Sequence, residues 1–176
     1  VQDGVAGVSG FVVTGGSKRG WTTYLSAVVD PRVSAIMPAV IDLLNFGEQL
    51  PHHKQAYEGV TEFIVEGYSQ ALQDYVAFDL PDRFDSPGGQ ALLEIVDPYE
   101  YRDRLTHTKF LLHSTGDEFF VPDSSQFYFD DLLGDNYLRY VPNTGHGLNQ
   151  NAVESAAVFF RALVNDLELP QYSWET

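Results

Sequence analysis

Ser17, Asp117 and His146 are the residues of this sequence whose types and settings fit one chemistry, nucleophilic attack on a carbonyl carbon. A serine hydroxyl is a weak nucleophile until an imidazole takes its proton. A carboxylate in turn fixes the imidazole tautomer and stabilises its charged form. Ser17 lies in Gly15-Gly16-Ser17-Lys18-Arg19-Gly20, after a short apolar run and ahead of a helical pattern. That is the setting of a sharp strand-to-helix turn that lifts a serine above a sheet. The usual spacing is G-x-S-x-G, whereas here Arg19 takes the second position after the serine and glycine follows at Gly20. Small residues before the serine let the backbone turn tightly, and the helix start offers N–H groups to a developing oxyanion. The backbone N–H of Lys18 is the expected donor. Taken alone, the motif equally fits a plain turn with Ser17 as helix cap.

Two further segments supply partners. Ser114 to Pro122 places Asp117 just past an apolar run, and Thr144-Gly145-His146-Gly147 places a glycine-flanked histidine just past the next. The chain order Ser, Asp, His is the one expected of α/β-hydrolases. All three residues fall at carboxyl ends of expected strands, where open α/β sheets bind ligands. Singly, Asp117 reads as a turn former and His146 as a loop residue. Asp42 and Asp123 also follow strands. Asp117 is preferred because it lies in the strand-end turn close after His113, while Asp123 follows Val121-Pro122 and is expected to cap a helix. The Lys18 side chain suits either a substrate carboxylate or plain solvation.

The elements that must position these residues alternate along the chain. Gly10 to Thr14 is a continuous apolar run that suits a strand buried on both faces. Trp21, Tyr24, Leu25 and Val28 then recur at helical spacing until Asp30-Pro31. Val33 to Ile41, Phe110 to Ser114 and Tyr137 to Val141 are further strands, the first ending near Pro38. Ala152 to Leu167 is an amphipathic helix with Asn149 or Asn151 as cap. Strands alternating with helices mean a parallel sheet covered on both faces. The rhythm breaks between Asp42 and Leu105, too long for a simple connection. Helical patterns there run from Gln55 to Ile64 and from Tyr68 to Phe78, and Asp85-Ser86-Pro87-Gly88-Gly89 reads as a turn. Residues 43–105 are therefore expected to form a helical insertion, a lid over the carboxyl edge of the sheet. Its aromatic residues Phe46, Tyr57, Phe63 and Tyr68 are candidates to line a substrate pocket, or simply to pack the insertion down.

Composition narrows the alternatives. The 176 residues are 44% hydrophobic and 20% charged, which excludes bulk disorder. Ten Lys and Arg against 25 Asp and Glu give a net charge of −15, which argues against nucleic-acid or anionic-membrane partners. No stretch approaches the ~18 apolar residues of a membrane span. With no cysteine there is no disulfide, thiolate metal site or cysteine nucleophile. The Thr14-Gly15-Gly16 turn also suits a short-chain dehydrogenase, with Asp42 toward a ribose, but no Tyr is followed four residues later by Lys. A P-loop fails for lack of Gly-Lys-Ser/Thr. His52-His53 are adjacent and point apart on a helix, and His107 and His113 stand alone, so no metal site is expected. No strand-end pair of carboxylates marks a glycosidase. No cofactor is expected.

Phe11 to Asn45 and Lys109 to Gly147 resemble the core of the PhoPQ-activated pathogenicity-related protein family, which includes autocrine proliferation repressor proteins of amoebae. Gly-Gly-Ser-Lys-Arg-Gly-Trp is the specific element, and the resemblance covers nearly the whole chain. It implies an α/β-hydrolase-like fold, export to the periplasm or the exterior, and Ser17 as nucleophile, Asp117 as acid and His146 as base. The Ser-Lys-x-Gly turn is more distantly similar to the Ser-Arg-x-Gly turn of glucuronoyl esterases. Neither resemblance implies a substrate. In an α/β-hydrolase the serine follows the fifth strand. Residues 1–176 are then expected to be the C-terminal half of one catalytic domain, about four parallel strands with Phe11 to Thr14 as an edge. The missing N-terminal half would supply its neighbour and a second oxyanion donor. The expected function is hydrolysis of a small ester or peptide through an acyl-enzyme. The alternative is a catalytically silent, secreted signalling or binding protein of the same fold.

Overall fold

The computed structural model describes residues 7–60 and 64–171. Its elements run β1 (Phe11–Gly16), α1 (Lys18–Val29), β2 (Val33–Ala39), α2 (Phe46–Ala56), β3 (Ile64–Val65), β4 (Tyr68–Ser69), α3 (Gln73–Ala77), α4 (Leu80–Arg83), α5 (Pro87–Val96), β5 (Thr108–Ser114), β6 (Asn136–Val141) and α6 (Gln150–Val164). Short 3-10 turns at Gln70–Leu72, Pro98–Arg104, Ser124–Phe127 and Phe129–Asp131 join them. Four strands form one sheet in the order β1-β2-β5-β6, every pair parallel. β3 and β4 pair antiparallel as a small hairpin. Among the described residues no helix is long and apolar enough to cross a membrane.

Successive strand residues point to opposite faces, and two cores result. Ile36 and Leu111 join Tyr24, Ala27 and Val28 of α1 and Leu44, Phe46 and Leu50 of the insertion in the larger core. Their neighbours Met37 and Phe110 turn the other way, where Phe159 of α6 and Tyr137 cover them. Asn149 rather than Asn151 caps α6, its side-chain oxygen accepting the Asn151 amide at 2.9 Å.

β1 is the edge strand that the half-domain reading expects, and not the strand buried on both faces that its apolar run alone suggests. It pairs with β2 alone among the described residues, so its continuous apolar run occupies an edge and Phe11 is 47% exposed.

The insertion contains helices, but not where local patterns put them. The pattern from Gln55 to Ile64 is not one helix: α2 ends at Ala56, a turn follows, and residues 61–63 lie outside the described residues. α2 begins instead at Phe46 and carries Pro51 inside it. Its N-terminal amides are satisfied from far along the chain. Asp97 accepts the Phe46 N–H at 2.8 Å and also the Tyr99 N–H at 3.0 Å. Of Tyr68 to Phe78, only Gln73–Ala77 is α-helical. Asp85 to Gly89 is not a simple turn. Ser86 accepts the Gly89 amide as the cap of α5, and Pro87 opens the helix with its preset φ. Several hydrogen bonds clasp the insertion to the body, two of them beside α1 and the Asp117 loop. Trp21 Nε1 donates to the Val96 carbonyl at 2.7 Å, and Ser69 Oγ donates to the Phe119 carbonyl at 2.8 Å.

Candidate active site

Ser17 stands between β1 and α1 with φ 56° and ψ −127°, a strained conformation for a residue with a Cβ. It sits at the N-cap position, yet its side chain makes no capping hydrogen bond. Ser17 is therefore not held there as a helix cap. Backbone bonds hold the turn: Ser17 N–H donates to the Ala39 carbonyl at 2.9 Å, and Trp21 N–H donates to the Ser17 carbonyl at 3.1 Å.

The glycines explain the unusual spacing. A Cβ on Gly15 would lie 2.5 Å from the Arg19 carbonyl oxygen, so the absent side chain is what lets α1 turn back over β1. A Cβ on Gly20 would lie 2.7 Å from Ile41 Cγ2 and 3.0 Å from the Gly15 oxygen. Gly20 thus packs the first turn of α1 against the chain leaving β2, and Arg19 is accommodated because Gly15 yields. Gly16 has ordinary room, its nearest neighbour being at 3.7 Å. Lys18 is the first residue of α1, so its N–H belongs to the turn that lacks intrahelical acceptors. The side chains of Lys18 and Arg19 are exposed.

Asp117 and His146 meet. The Asp117 carboxylate accepts from His146 Nδ1, with oxygens at 3.0 and 3.1 Å. The same carboxylate accepts the Phe119 N–H at 2.9 Å and the Phe120 N–H at 3.3 Å, and it is 8% exposed. With Nδ1 donating to Asp117, Nε2 is left to act as a base. The rings of Phe119 and Phe120 lie 4.7 and 5.8 Å from the imidazole, Phe119 edge-on.

The loop carrying His146 is held from below. Its own N–H donates to Glu118 Oε2 at 2.8 Å. Gly116 N–H donates to the Thr144 carbonyl at 3.0 Å, and the Ser114 hydroxyl donates to that carbonyl as well. Glu118 and Thr144 went unnoticed in the sequence. The only signal was their adjacency to Asp117 and His146.

The other acids fall away from this pair. Asp123 makes no capping bond, and its carboxylate is 2.7 Å from His52 Nε2 at the surface. Asp42 is buried with both oxygens taken by tyrosine hydroxyls, which leaves nothing for a ribose. His113 is not a lone histidine but faces Tyr128 Oη at 3.1 Å. The aromatic candidates divide. Phe46 is 3% exposed, wedged edge-on against Trp21 at 4.9 Å and beside Phe84. Tyr68 is 5% exposed and stacks on His53. Both pack the insertion down. Tyr57 is half-buried with its ring edge-on to His53 at 4.8 Å, and burial, followed by the negative charges of Asp117 and Glu118, holds its phenol above the usual value. Phe63 lies outside the described residues.

A family model described as PhoPQ-activated pathogenicity-related protein matches residues 2–176. The chain is 39% identical over 170 residues to autocrine proliferation repressor protein A of Dictyostelium discoideum, covering 94% of this chain and 33% of that one. Among solved structures it is similar to the acetyl xylan esterase of Paenibacillus sp. R4, with TM-score 0.65 and 17% identity over 88% of this chain and 46% of the esterase. A puromycin-hydrolysing peptidase of Mycobacterium tuberculosis superposes with TM-score 0.63 and 19% identity over 94% of this chain and 23% of the peptidase. These likenesses establish an α/β-hydrolase fold. The chain spans about a third of the length of the curated relative and under half of these structures.

Proposed function

This chain belongs to the PhoPQ-activated pathogenicity-related protein family, and we propose that it carries the catalytic triad of a serine hydrolase. Ser17 is the nucleophile, His146 the base and Asp117 the acid. The observation that supports this best is the Asp117–His146 pair, bonded through Nδ1 on the same sheet edge as a serine held at φ 56°. Ser17 Oγ attacks an ester or amide carbonyl while His146 Nε2 takes its proton. The tetrahedral oxyanion accepts the Lys18 N–H. His146 then protonates the leaving group, and water repeats the sequence on the acyl-enzyme. Small esters or peptides are the substrates, and Tyr57 is the aromatic residue we assign to meet them. No cofactor takes part.

A preceding part of the same protein is proposed to pair with the β1 edge and to bring the second oxyanion donor. Secretion or a periplasmic location is carried over from the family resemblance.

The test is a fluorophosphonate probe on the intact protein. Labelling that disappears in Ser17→Ala supports the hydrolase, and a protein that never labels refutes it. That second outcome favours a silent signalling role, in line with the repressor name of the Dictyostelium relative.

A further inference from the structure

Behind the triad lies a buried polar cluster that the mechanism does not use. Asp42 is 3% exposed. Tyr128 Oη donates to its Oδ1 at 2.7 Å and Tyr140 Oη donates to its Oδ2 at 2.5 Å. His113 Nε2 is 3.1 Å from Tyr128 Oη and 3.8 Å from Asp42 Oδ1. His113 Nδ1 is buried without a hydrogen-bond partner among the described residues, so the ring proton belongs on Nε2, facing Tyr128. The donors then run consistently from His113 to Tyr128 to Asp42, and from Tyr140 to Asp42; burial raises the Asp42 pKa, while His113 and the two phenols favour its ionised form. Ser125 hydrogen-bonds Tyr140, and the charge of Asp117 is felt at Asp42.

Burying a carboxylate this completely is unfavourable, and apolar side chains of similar volume would pack the space at lower cost. What the cluster gains is a set of connections. Asp42 ends the segment in which the Ala39 carbonyl holds the Ser17 N–H and Ile41 packs on Gly20. His113 lies in β5, directly before the turn that carries Asp117, and Tyr140 lies in β6, before the loop that carries His146. The strand ends that present Asp117 and His146 therefore contribute to one hub directly, and Ser17 at the end of β1 is tied to it through the Ala39 carbonyl.

We propose that Asp42 is a positioning residue, whose carboxylate, bridged by Tyr128 and Tyr140, locks the ends of β2, β5 and β6 so that Ser17, Asp117 and His146 stay in register. This rests on the triad reading above. It predicts that loosening the hub changes the reactivity of a triad to which, among the described residues, no hub side chain is hydrogen-bonded.

The experiment compares the intact protein with Asp42→Asn and Tyr140→Phe through two readouts. One is the rate of fluorophosphonate labelling at Ser17. The other is the downfield proton resonance of His146 Nδ1–H, which reports the Asp117 bond without any hydrolysis. Labelling is expected to slow about tenfold in Tyr140→Phe and about 10²-fold in Asp42→Asn, as for loss of one bond and for a misplaced site. The resonance is expected to shift or broaden in both. Tyr140→Phe keeps the ring, so it carries the test if Asp42→Asn fails to fold. Wild-type labelling with an unmoved resonance overturns the proposal and leaves the hydrolase standing. A protein that never labels, but whose resonance moves in the variants, supports the hub and removes the hydrolase. If it neither labels nor shows a moved resonance, both ideas fall.

Discussion

Asp117 holds His146 through Nδ1 at 3.0 Å while two backbone amides, those of Phe119 and Phe120, hold Asp117. The imidazole is thus oriented by a group that is itself immobilised. Asp117→Asn is expected to lower turnover of an activated ester by about 10⁴-fold, because an amide favours the wrong tautomer. Asp123→Asn, which loses only a surface contact to His52, is expected to stay within about twofold. Steady-state rates for the two variants decide the matter, and the reverse ranking would transfer the acid role to Asp123.

The glycines before and after Ser17 are expected to differ sharply in tolerance. Gly15→Ala and Gly20→Ala each drive a methyl group into backbone or core atoms, and each should destabilise by roughly 1–3 kcal/mol. Gly16→Ala meets only ordinary contacts and should fall well below that. Urea midpoints of the three variants check the order.

His53 is expected to make the fold acid-sensitive. Its Nε2 accepts the Ser69 N–H at 3.2 Å, and burial, helped by neighbouring His52, lowers its pKa to about 4. Because the folded value lies below the unfolded one, the stabilisation is complete above about pH 6.5 and is lost as pH falls through about 4. The loss approaches roughly 3 kcal/mol. In His53→Gln the stability lost on acidification between these values should disappear from the melting curves, leaving whatever slope other groups contribute. An unchanged slope would assign acid sensitivity elsewhere.

Asp97 acts with the opposite sign. Burial raises its pKa to about 6 despite the amides of Phe46, Tyr99 and Asn45. Its contribution is fully present below about pH 4 and is lost as pH rises through about 6, so it offsets His53 across the same window. Melting of His53→Gln should therefore rise on acidification from pH 6.5 to 4, and Asp97→Asn in that background should flatten it. Failure to rise would show that Asp97 titrates elsewhere.

Residues 1–176 expressed alone are expected to self-associate through the exposed β1 edge. They should turn over a simple ester about 10²–10³-fold more slowly than the intact protein, the effect of losing one oxyanion donor. Mass in solution and Ser17-dependent turnover check this. A stable, fully active monomer would refute the proposed missing half.

The strands and the pair Asp117–His146 were legible because each depends on neighbours in sequence: an apolar run, then a turn, then a polar residue at its end. The start of α2 was not, since Asp97 supplies its amide acceptor from the far end of the insertion. The apolar run of β1 taken by itself points to burial on both faces, and only the likeness to half of a hydrolase domain puts it at an edge. An apolar run announces a strand, but whether a strand is central or peripheral depends on partners elsewhere. The Asp42 hub was invisible because its phenols come from positions 86 and 98 residues away. Asp42, Tyr128 and Tyr140 carry no local signature that distinguishes a hub from surface polarity.

The Asp97 clasp has an evolutionary corollary. One carboxylate joins Asn45 and Phe46 to Tyr99, so the two feet of the insertion stand side by side and everything between them hangs as a closed loop. The entropy of closing such a loop grows only logarithmically with its length. Segments of different size are therefore interchangeable between those feet so long as residues such as Phe46 and Leu50 still seat on the strands beneath. Under the hydrolase reading proposed above, selection for a new substrate can rewrite the outer canopy while the strand ends stay fixed, and exchanging that canopy between Phe46 and Asp97 is the most economical route to altered specificity.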